Sequence, residues 1–275
     1  MIELPEAIVV ANQMKRILVD KKIIHIIKGQ SPHKFAFFNK DLPNYEDILM
    51  NRVIEDVEAH GGHIEIVLGE YRLSLGEGVN IRYITHQSDL PNKHQLLLQF
   101  SDDTYVVVSI QMYGMIWLFK EGEFDNFYHN VTKEKPSPLS EEFSKEYFMN
   151  MLQETPVKLS AKAFLATEQR IPGLGNGVLQ DILFNSKIHP KRKISTLSTV
   201  EKDCLFESIK STLSNMRDLG GRNTEKDFFG NIGKYPTVLS NKTVKEPCPV
   251  CQGELIKKSY LGGSIYYCPV CQPEK

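Results

Sequence analysis

The sequence predicts an α+β protein of several domains: an N-terminal helix with a β-sandwich or barrel, a helical domain, and a C-terminal zinc-ribbon hairpin. Three observations support this fold class. The chain has 275 residues, enough for about two domains with sizeable cores. The apolar period changes from strand-like to helical near residue 141. Four of the five cysteines form two close pairs near the C-terminus.

The first half of the chain reads as one helix followed by strands. Apolar residues recur at a spacing of three to four over about residues 1–20, which predicts an amphipathic helix. Short, partly alternating apolar runs separated by glycine and aspartate turns then predict strands at 23–27, 63–68, 71–75, 96–100 and 105–110. Residues 131–140 contain two prolines and are predicted to be a linker.

The second half is predicted to be helical, with one unusual connection. Three apolar stripes between residues 141 and 220 are typical of helix faces that pack into a core. Between two of them, residues 169–177 hold three glycines and a proline. Such a connection exposes backbone N–H groups at a helix start and can bind phosphate, although an ordinary helix–helix turn is the alternative. The predicted domains are residues 1–135, 136–240 and 241–275.

The cysteine spacing predicts a structural metal site. The pairs Cys248/Cys251 and Cys268/Cys271 are separated by sixteen residues. Two such turns, each offering two thiolates, can surround one zinc ion tetrahedrally, and all four positions would be filled by protein. Disulfides or a redox pair are the competing interpretations, which a reducing cytoplasm disfavours. The intervening residues predict a hairpin that turns at Gly262 and Gly263, and Cys204 is expected to be a buried apolar residue.

The charge is divided unevenly along the chain. The net charge is −1, but residues 1–150 carry 15 basic and 22 acidic side chains, whereas residues 151–275 carry 18 and 12. A basic second half can meet phosphates, although a solvated surface without a partner explains the charge equally well. An acidic start and the lack of a long apolar run predict no export signal, no membrane span and a cytoplasmic protein.

Four regions together resemble the formamidopyrimidine-DNA glycosylase/endonuclease VIII (Fpg/Nei) family of base-excision repair proteins. They are Glu3-Leu4-Pro5-Glu6, residues 137–143, residues 169–190 with Gly173-Leu174-Gly175-Asn176, and the four-cysteine ribbon. The resemblance implies an N-terminal helix and β-sandwich, a helix–two-turns–helix domain and a zinc finger. It also implies a monomer that acts as a DNA glycosylase and AP lyase on damaged or abasic duplex DNA, alongside nucleoid DNA in the cytoplasm.

The resemblance places the catalytic residues at the N-terminus, where this chain departs from the family. The family uses the amine of an N-terminal proline, and the adjacent glutamate handles protons on the sugar. Here position 2 is Ile2, so the terminal amine is expected to belong to Met1, or to Ile2 if Met1 is removed. Glu3 and Glu6 are retained as candidate catalytic residues. Helix N-terminal acids that favour the helix dipole are the alternative interpretation.

Three further departures concern DNA contacts. The family's hairpin lysine has no clear counterpart: His94 matches its position and Lys93 lies one residue away, on the other face of a strand. Met112 matches the methionine that fills the gap left by a flipped base, whereas the loop with the other gap-filling residues is not found. Gly263 stands where the zinc finger of the family offers an arginine to a phosphate.

The element that grips the DNA backbone is retained. Asn176 and Gly175 match the family's phosphate-binding turn, and four lysine or arginine side chains are further candidates for phosphate contacts: Lys191, Arg192, Lys257 and Lys258. Three hypotheses follow: an active glycosylase and lyase, a catalytically silent protein that binds lesions or bent DNA, and a zinc-braced protein-interaction module. The sequence does not identify the lesion, because the lesion-reading loop is the altered part.

Overall fold

The computed structural model describes residues 2–38, 45–76, 78–110 and 112–274. These residues form two compact units. The first contains residues 1–130 together with 220–234, and the second contains residues 131–219 together with 235–275. The chain therefore leaves the first unit, builds most of the helical unit, and returns to the first unit for fifteen residues before it ends in the second.

The first unit begins with the predicted helix, α1 (Leu4–Leu18). Pro5 stands in the first turn, where its missing N–H costs no hydrogen bond, and Glu6 is an acid at the positive end of the helix dipole. The apolar face is buried, with Val10 and Met14 each no more than 1% exposed. This face packs into the same core as the strands that follow.

Nine strands form two sheets in the first unit. One sheet has the order β1-β7-β8-β6 and the other has the order β2-β9-β5-β4-β3, and every neighbouring pair is antiparallel except β2 and β9. The strands are β1 (Ile23–Lys28), β2 (Ala36–Phe38), β3 (Asp56–His60), β4 (His63–Leu68), β5 (Tyr71–Gly76), β6 (Val79–Ile84), β7 (Leu96–Phe100), β8 (Tyr105–Ile110) and β9 (Gly114–Lys120). A short helix, α2 (Tyr45–Leu49), lies between β2 and β3.

The two sheets share one hydrophobic core, so the first unit is a β-sandwich. Core residues come from the inner face of each sheet, for example Ile26 and Leu98 from one and Ile66 and Leu118 from the other. Alternate residues of a strand face opposite sides, so the neighbours of Ile64 and Ile66 on β4 point away from this core. Those neighbours, His63 and Glu65, are nevertheless buried.

The second unit is helical and carries the C-terminal hairpin. Its helices are α3 (Phe127–Glu134), α4 (Lys145–Glu154), α5 (Ala161–Ala166), α6 (Val178–Asn185) and α7 (Thr199–Asp218), of which α3 begins within the first unit. Serines cap α4, α5 and α7 by accepting a backbone N–H in the first turn. Helix α3 occupies residues predicted to be a linker, and its side chain at Val131 is buried.

The predicted hairpin is present as β10 (Ile256–Tyr260) and β11 (Gly263–Tyr267). The turn consists of Leu261 and Gly262, one residue earlier than the predicted Gly262 and Gly263, because Gly263 already pairs with Tyr260. Leu261 and Gly262 both have positive φ angles, 48° and 71°. Two residues with positive φ give the type of turn that matches the twist of an antiparallel pair. In the described part of the chain, no helix has the length and apolarity that crossing a membrane requires.

Candidate metal centre and nucleic-acid interface

The four predicted cysteine ligands converge in the second unit. The sulfur atoms of Cys248, Cys251, Cys268 and Cys271 all lie within 4.8 Å of one another. Cys248 and Cys271 are 3.8 Å apart, and Cys251 and Cys268 are 3.4 Å apart. A disulfide needs about 2.05 Å between sulfurs, whereas a tetrahedron with metal–sulfur bonds of about 2.3 Å places them about 3.8 Å apart. The donor set therefore fits a four-coordinate thiolate-bound metal ion.

Two tight turns position these sulfurs. The backbone N–H of Gln252 donates to the carbonyl of Cys248, and that of Gln272 donates to the carbonyl of Cys268, both at 2.8 Å. Gln252 takes up a left-handed conformation with φ of 61°, which lets the chain reverse after the first pair. Cys204, expected to be buried, is instead exposed on α7 and lies outside this cluster.

The hairpin and its cysteine cluster pack on the helical part of the second unit. Leu255 and Tyr266 of the hairpin share a hydrophobic cluster with Phe184 of α6 and Leu239. The side chain of Gln272 donates to the carbonyl of Ile188 at 2.9 Å. The hairpin and the cysteine cluster therefore lie against α6 and the segment that follows it.

The glycine-rich connection meets the hairpin at Asn176. The Asn176 side-chain amide donates to the carbonyl of Ser264 at 2.9 Å. Gln180, which the sequence did not indicate as functional, supports this contact, because it donates to the carbonyl of Asn176 at 2.9 Å and accepts from the N–H of Tyr266 at 3.0 Å. Gly175 and Asn176 are half-buried, so the connection lies at the surface beside the hairpin.

The predicted basic residues divide into exposed and buried groups. Lys257 and Lys258 are exposed on β10, and Lys191 is half-buried, with its ammonium 5.3 Å from the centre of the Tyr260 ring. Arg192 departs from the expectation of a phosphate contact. It is 8% exposed, and its guanidinium binds both carboxylate oxygens of Glu201, which holds the pKa of Glu201 at about 2. Arg192 therefore braces the start of α7.

A lysine that the sequence analysis did not single out lies beside Asn176. Lys162 is only 3% exposed, and its ammonium donates to the carbonyl of Tyr260 at 2.6 Å. A Cβ atom built on Gly263 would lie 3.3 Å from this nitrogen and 3.5 Å from the side-chain amide of Asn176. No pattern in the sequence separates Lys162 from the other lysines, because its position depends on how the hairpin packs.

The candidate catalytic residues lie in the first unit. Met1 is outside the described residues. Ile2 is 8% exposed and packs into the sandwich core, and Glu3 and Glu6 are 6% and 3% exposed. The backbone N–H of Glu3 donates to the Glu6 carboxylate at 3.3 Å, as expected of acids at a helix start.

Both glutamates share one buried arginine, which the sequence analysis also missed. Arg222 is 3% exposed; it binds both oxygens of the Glu6 carboxylate and lies 3.5 Å from that of Glu3. Burial alone would raise the pKa of Glu6, but the Arg222 guanidinium lowers it below its usual value. Burial alone would lower the pKa of Arg222, but Glu3 and Glu6 raise it. Glu6 and Arg222 are therefore charged at neutral pH.

The other residues of the first unit that were predicted to contact DNA differ in their exposure to solvent. Lys93 is exposed, whereas His94 is only 3% exposed. The ring nitrogen Nδ1 of His94 lies 3.2 Å from the carbonyl of Pro91, just before β7. Met112 is 66% exposed, so it is not a core methionine.

Met112 lines a concave surface of the first unit. This pocket has a volume of about 440 Å³. Its lining comes from β6, β8 and the returning segment: Gly78, Asn80, Arg82, Ser109, Met112, Thr224, Glu225 and Lys226. The lining is mostly polar, with one flexible apolar side chain at the rim.

A separate titratable cluster lies on the outer face of the five-stranded sheet. His129 Nε2 is 2.6 Å from the Glu65 carboxylate. His63 stacks on Trp117 with ring centres 5.6 Å apart, and its Nδ1 has no hydrogen-bond partner among the described residues. Burial, and then the charge of His129, lower the pKa of His63 to about 4. His63 is therefore neutral at physiological pH.

Comparison with known proteins finds similarity to formamidopyrimidine-DNA glycosylases. The sequence profile described as the formamidopyrimidine-DNA glycosylase H2TH domain matches residues 135–227. The chain is 29% identical to a formamidopyrimidine-DNA glycosylase of Bacillus cereus over 278 aligned positions, covering 98% of this chain and 99% of that protein. It is 28% identical to the protein of the same name from Wolbachia pipientis, at the same coverage.

Solved structures share the fold over the whole chain. The Fpg protein of Lactococcus lactis, in complex with DNA that contains an abasic site, superposes with a TM-score of 0.83 at 23% identity, covering 98% of this chain and 99% of that one. The MutM (Fpg) protein of Thermus thermophilus superposes with a TM-score of 0.83 at 19% identity, covering 99% of both chains. The predicted combination of β-sandwich, helical domain and cysteine ribbon is thereby confirmed.

Proposed function

Because this chain belongs to the Fpg/Nei family, we propose that it is a base-excision repair protein that binds duplex DNA at damaged or abasic sites. It acts as a monomer on the nucleoid in the cytoplasm. Its parts are an N-terminal β-sandwich domain (1–135), a helix–two-turns–helix domain (136–240) and a zinc finger (241–275).

The observation that carries the proposal is the contact between Asn176 and the hairpin. A half-buried amide at a glycine-rich turn, 2.9 Å from the carbonyl of Ser264, retains a second amide proton beside the basic hairpin. Such groups bind phosphate oxygens without reading base sequence. Lys191, Lys257 and Lys258 add positive charge to the same unit, and Gly175 lets the backbone approach a phosphate closely.

The metal is one structural zinc ion bound by Cys248, Cys251, Cys268 and Cys271. Four thiolates leave no open position, so the ion stabilises the hairpin and does not take part in the reaction. It thereby holds the carbonyl of Ser264 where Asn176 can reach it.

The pocket beside Met112 is suited to hold a nucleotide extruded from the duplex. A volume of about 440 Å³ with a polar lining matches a nucleobase that must exchange hydrogen bonds on leaving its partner. The exposed, flexible Met112 side chain can fill the gap left in the stack. Lys93 and His94 stay candidates for contacts with the backbone on this unit.

The chemistry of the site depends on the N-terminal amine of Met1, or of Ile2 if Met1 is removed. In a glycosylase and lyase the neutral amine forms a bond to the sugar C1′ as the bond between C1′ and the base breaks, and the base leaves with that electron pair and takes up a proton. The attached amine loses a proton, the bond between C1′ and O4′ then opens as O4′ takes up a proton, and the nitrogen lone pair forms the double bond to C1′ of a protonated Schiff base. Glu3 would exchange protons with the sugar. A catalytically silent lesion-binding protein is the second candidate, and the charged cluster of Glu3, Glu6 and Arg222 favours it, because a carboxylate paired with a guanidinium takes up a proton poorly.

The proposal is tested with a fluorescent duplex that carries a tetrahydrofuran abasic analogue and with the same duplex intact. We expect tighter binding to the abasic duplex, and an affinity for both that falls as KCl rises. Absence of salt-sensitive binding to either duplex would contradict the proposal and leave a zinc-braced protein-interaction module. Borohydride treatment with a natural abasic duplex then separates the two candidates: a covalent adduct shows an active lyase, and binding without an adduct shows the silent protein.

A further inference from the structure

The ammonium of Lys162 is buried, and none of the acidic residues that the structure describes pairs with it. Lys162 stands in the first turn of α5 and is 3% exposed. Buried lysines are normally paired with a carboxylate, because an ammonium loses its hydration when it leaves water. Within the part of the chain that the structure describes, the nitrogen has one hydrogen-bond acceptor, the carbonyl of Tyr260, and no carboxylate pairs with it. Burial accordingly lowers the pKa of Lys162.

This ammonium lies directly against the hairpin, beside Gly263 and Tyr260. Gly263 has no side chain, and a Cβ atom there would already lie 3.3 Å from the Lys162 nitrogen and 3.5 Å from the Asn176 amide. Gly263 and Asn176 are half-buried, and the neighbouring Gly262 is exposed. The ammonium therefore lies just below the surface at the place where the glycine-rich turn meets the hairpin.

Both groups retain donors for a ligand. An ammonium has three N–H donors and a side-chain amide has two. Among the described residues, Lys162 uses one on Tyr260 and Asn176 uses one on Ser264. The nearest basic neighbours, Lys191 beside Tyr260 and the exposed Lys258 on β10, add positive charge. The group that satisfies these donors is an anion with several oxygen atoms.

We propose that Lys162 and Asn176 together bind one backbone phosphate of DNA, with Lys162 supplying from α5 the positive charge that the hairpin lacks at Gly263. This inference rests on the proposed function. Asn176 donates through its amide, Lys162 donates through two N–H groups, and the bare backbone of Gly263 lets the phosphate approach both. Charge-assisted hydrogen bonds of this kind are about twice as strong as neutral ones.

The test moves the positive charge from the helix to the hairpin. Lys162→Met removes the charge while keeping an unbranched side chain, and Lys162→Met combined with Gly263→Arg returns a cation on β11, where the φ angle is compatible with a side chain. Lys145→Met removes an exposed lysine of α4 in the same unit and is the matched control. Zinc content and thermal unfolding of each variant are measured alongside, so that loss of folding is recognised.

Binding of the tetrahydrofuran duplex is measured over a series of KCl concentrations. We expect Lys162→Met to weaken binding about tenfold and to reduce the slope of log Kd against log [KCl] by about 0.9, the value for one phosphate neutralised. The double variant should regain the slope, and Lys145→Met should leave it unchanged. An unchanged slope in folded Lys162→Met, or a double variant that stays as weak as Lys162→Met, would overturn the assignment. Failure of the wild-type protein to bind DNA would instead contradict the proposed function.

Discussion

The guanidinium of Arg222 binds both carboxylate oxygens of Glu6, with Nε 2.9 Å from Oε1 and Nη2 2.7 Å from Oε2. The backbone N–H of Arg222 also donates to the Glu6 carboxylate at 3.1 Å. This buried pair joins the start of α1 to the segment 220–234, which returns to the sandwich unit from the helical unit. The returning segment is therefore anchored to the N-terminal helix by a charged contact.

Breaking this pair is expected to destabilise the protein strongly. Arg222→Met leaves two buried carboxylates without their cation, and removal of one partner of a buried ion pair costs about 3–5 kcal/mol. Arg217→Met is the control, because Arg217 forms an exposed pair with Asp218 whose loss costs at most about 1 kcal/mol. Urea denaturation of the full chain measures the free energy of unfolding of both variants. Equal losses in the two variants would contradict the structural role of Arg222.

Asn176→Ala should weaken DNA binding without changing its salt dependence. The lost hydrogen bond to a charged phosphate is worth about 1.5–3 kcal/mol, or about tenfold or more in Kd, but no cation is removed. The hairpin stays attached, because Gln180 Nε2 also lies 3.2 Å from the carbonyl of Ser264. The loss should be alike for duplexes of different sequence. Unchanged affinity at moderate salt would show that DNA does not contact this turn.

Cys251→Ser should release the metal and loosen the hairpin. A serine hydroxyl is a poor zinc ligand, and metal binding contributes directly to the folding of small sites of this kind. Cys204→Ser, at an exposed cysteine of α7, is the matched control and should keep one zinc per chain. Metal analysis of both purified proteins decides the matter, and full zinc content in Cys251→Ser would show that the cluster is not the binding site.

Met112→Ala should affect binding of lesion-containing DNA selectively. The side chain is 66% exposed, so its truncation should change stability by less than about 0.5 kcal/mol. If Met112 fills the gap left by an extruded nucleotide, Kd for the tetrahydrofuran duplex should rise several-fold, while Kd for the intact duplex stays nearly constant. Tyr128→Ala serves as the control, because Tyr128 is an exposed aromatic residue of the same unit that does not line the pocket. Equal effects on both duplexes would assign Met112 to general DNA contact.

Stability should decline between about pH 6.5 and pH 4 because of His63. Its folded-state pKa is lowered to about 4, so in this range the unfolded chain binds a proton that the folded chain excludes. Proton uptake therefore lowers the free energy of unfolding, by about 2–3 kcal/mol near pH 4. His63→Leu should flatten this part of the curve, whereas His60→Gln, at a half-buried histidine of β3, should preserve it. A wild-type protein equally stable at pH 6.5 and pH 4.5 would contradict the assignment.

The parts of the fold that sequence alone determined are those specified by local spacing. Two cysteine pairs sixteen residues apart define two turns and a hairpin, and short apolar runs bounded by turn residues define β4, β7 and β8 at the residues observed. The strands β2, β3, β6 and β9 were not predicted individually. Strand β2 has only three residues, β3 and β6 alternate but contain many polar residues, and periodicity alone does not assign the nearly continuous apolar run of β9 to a strand.

The tertiary structure alone decided which charged side chains are available to a ligand. Arg192 and Lys162 are both basic residues of the helical unit, yet Glu201 neutralises the first and, among the described residues, no acid pairs with the second. Arg222 meets Glu6 from 216 residues along the chain, a separation that no local pattern reports. Spacing determines which residues share a turn or a face, but the partner of a buried charge is set by packing between distant segments, because the cost of desolvation depends on everything that surrounds it.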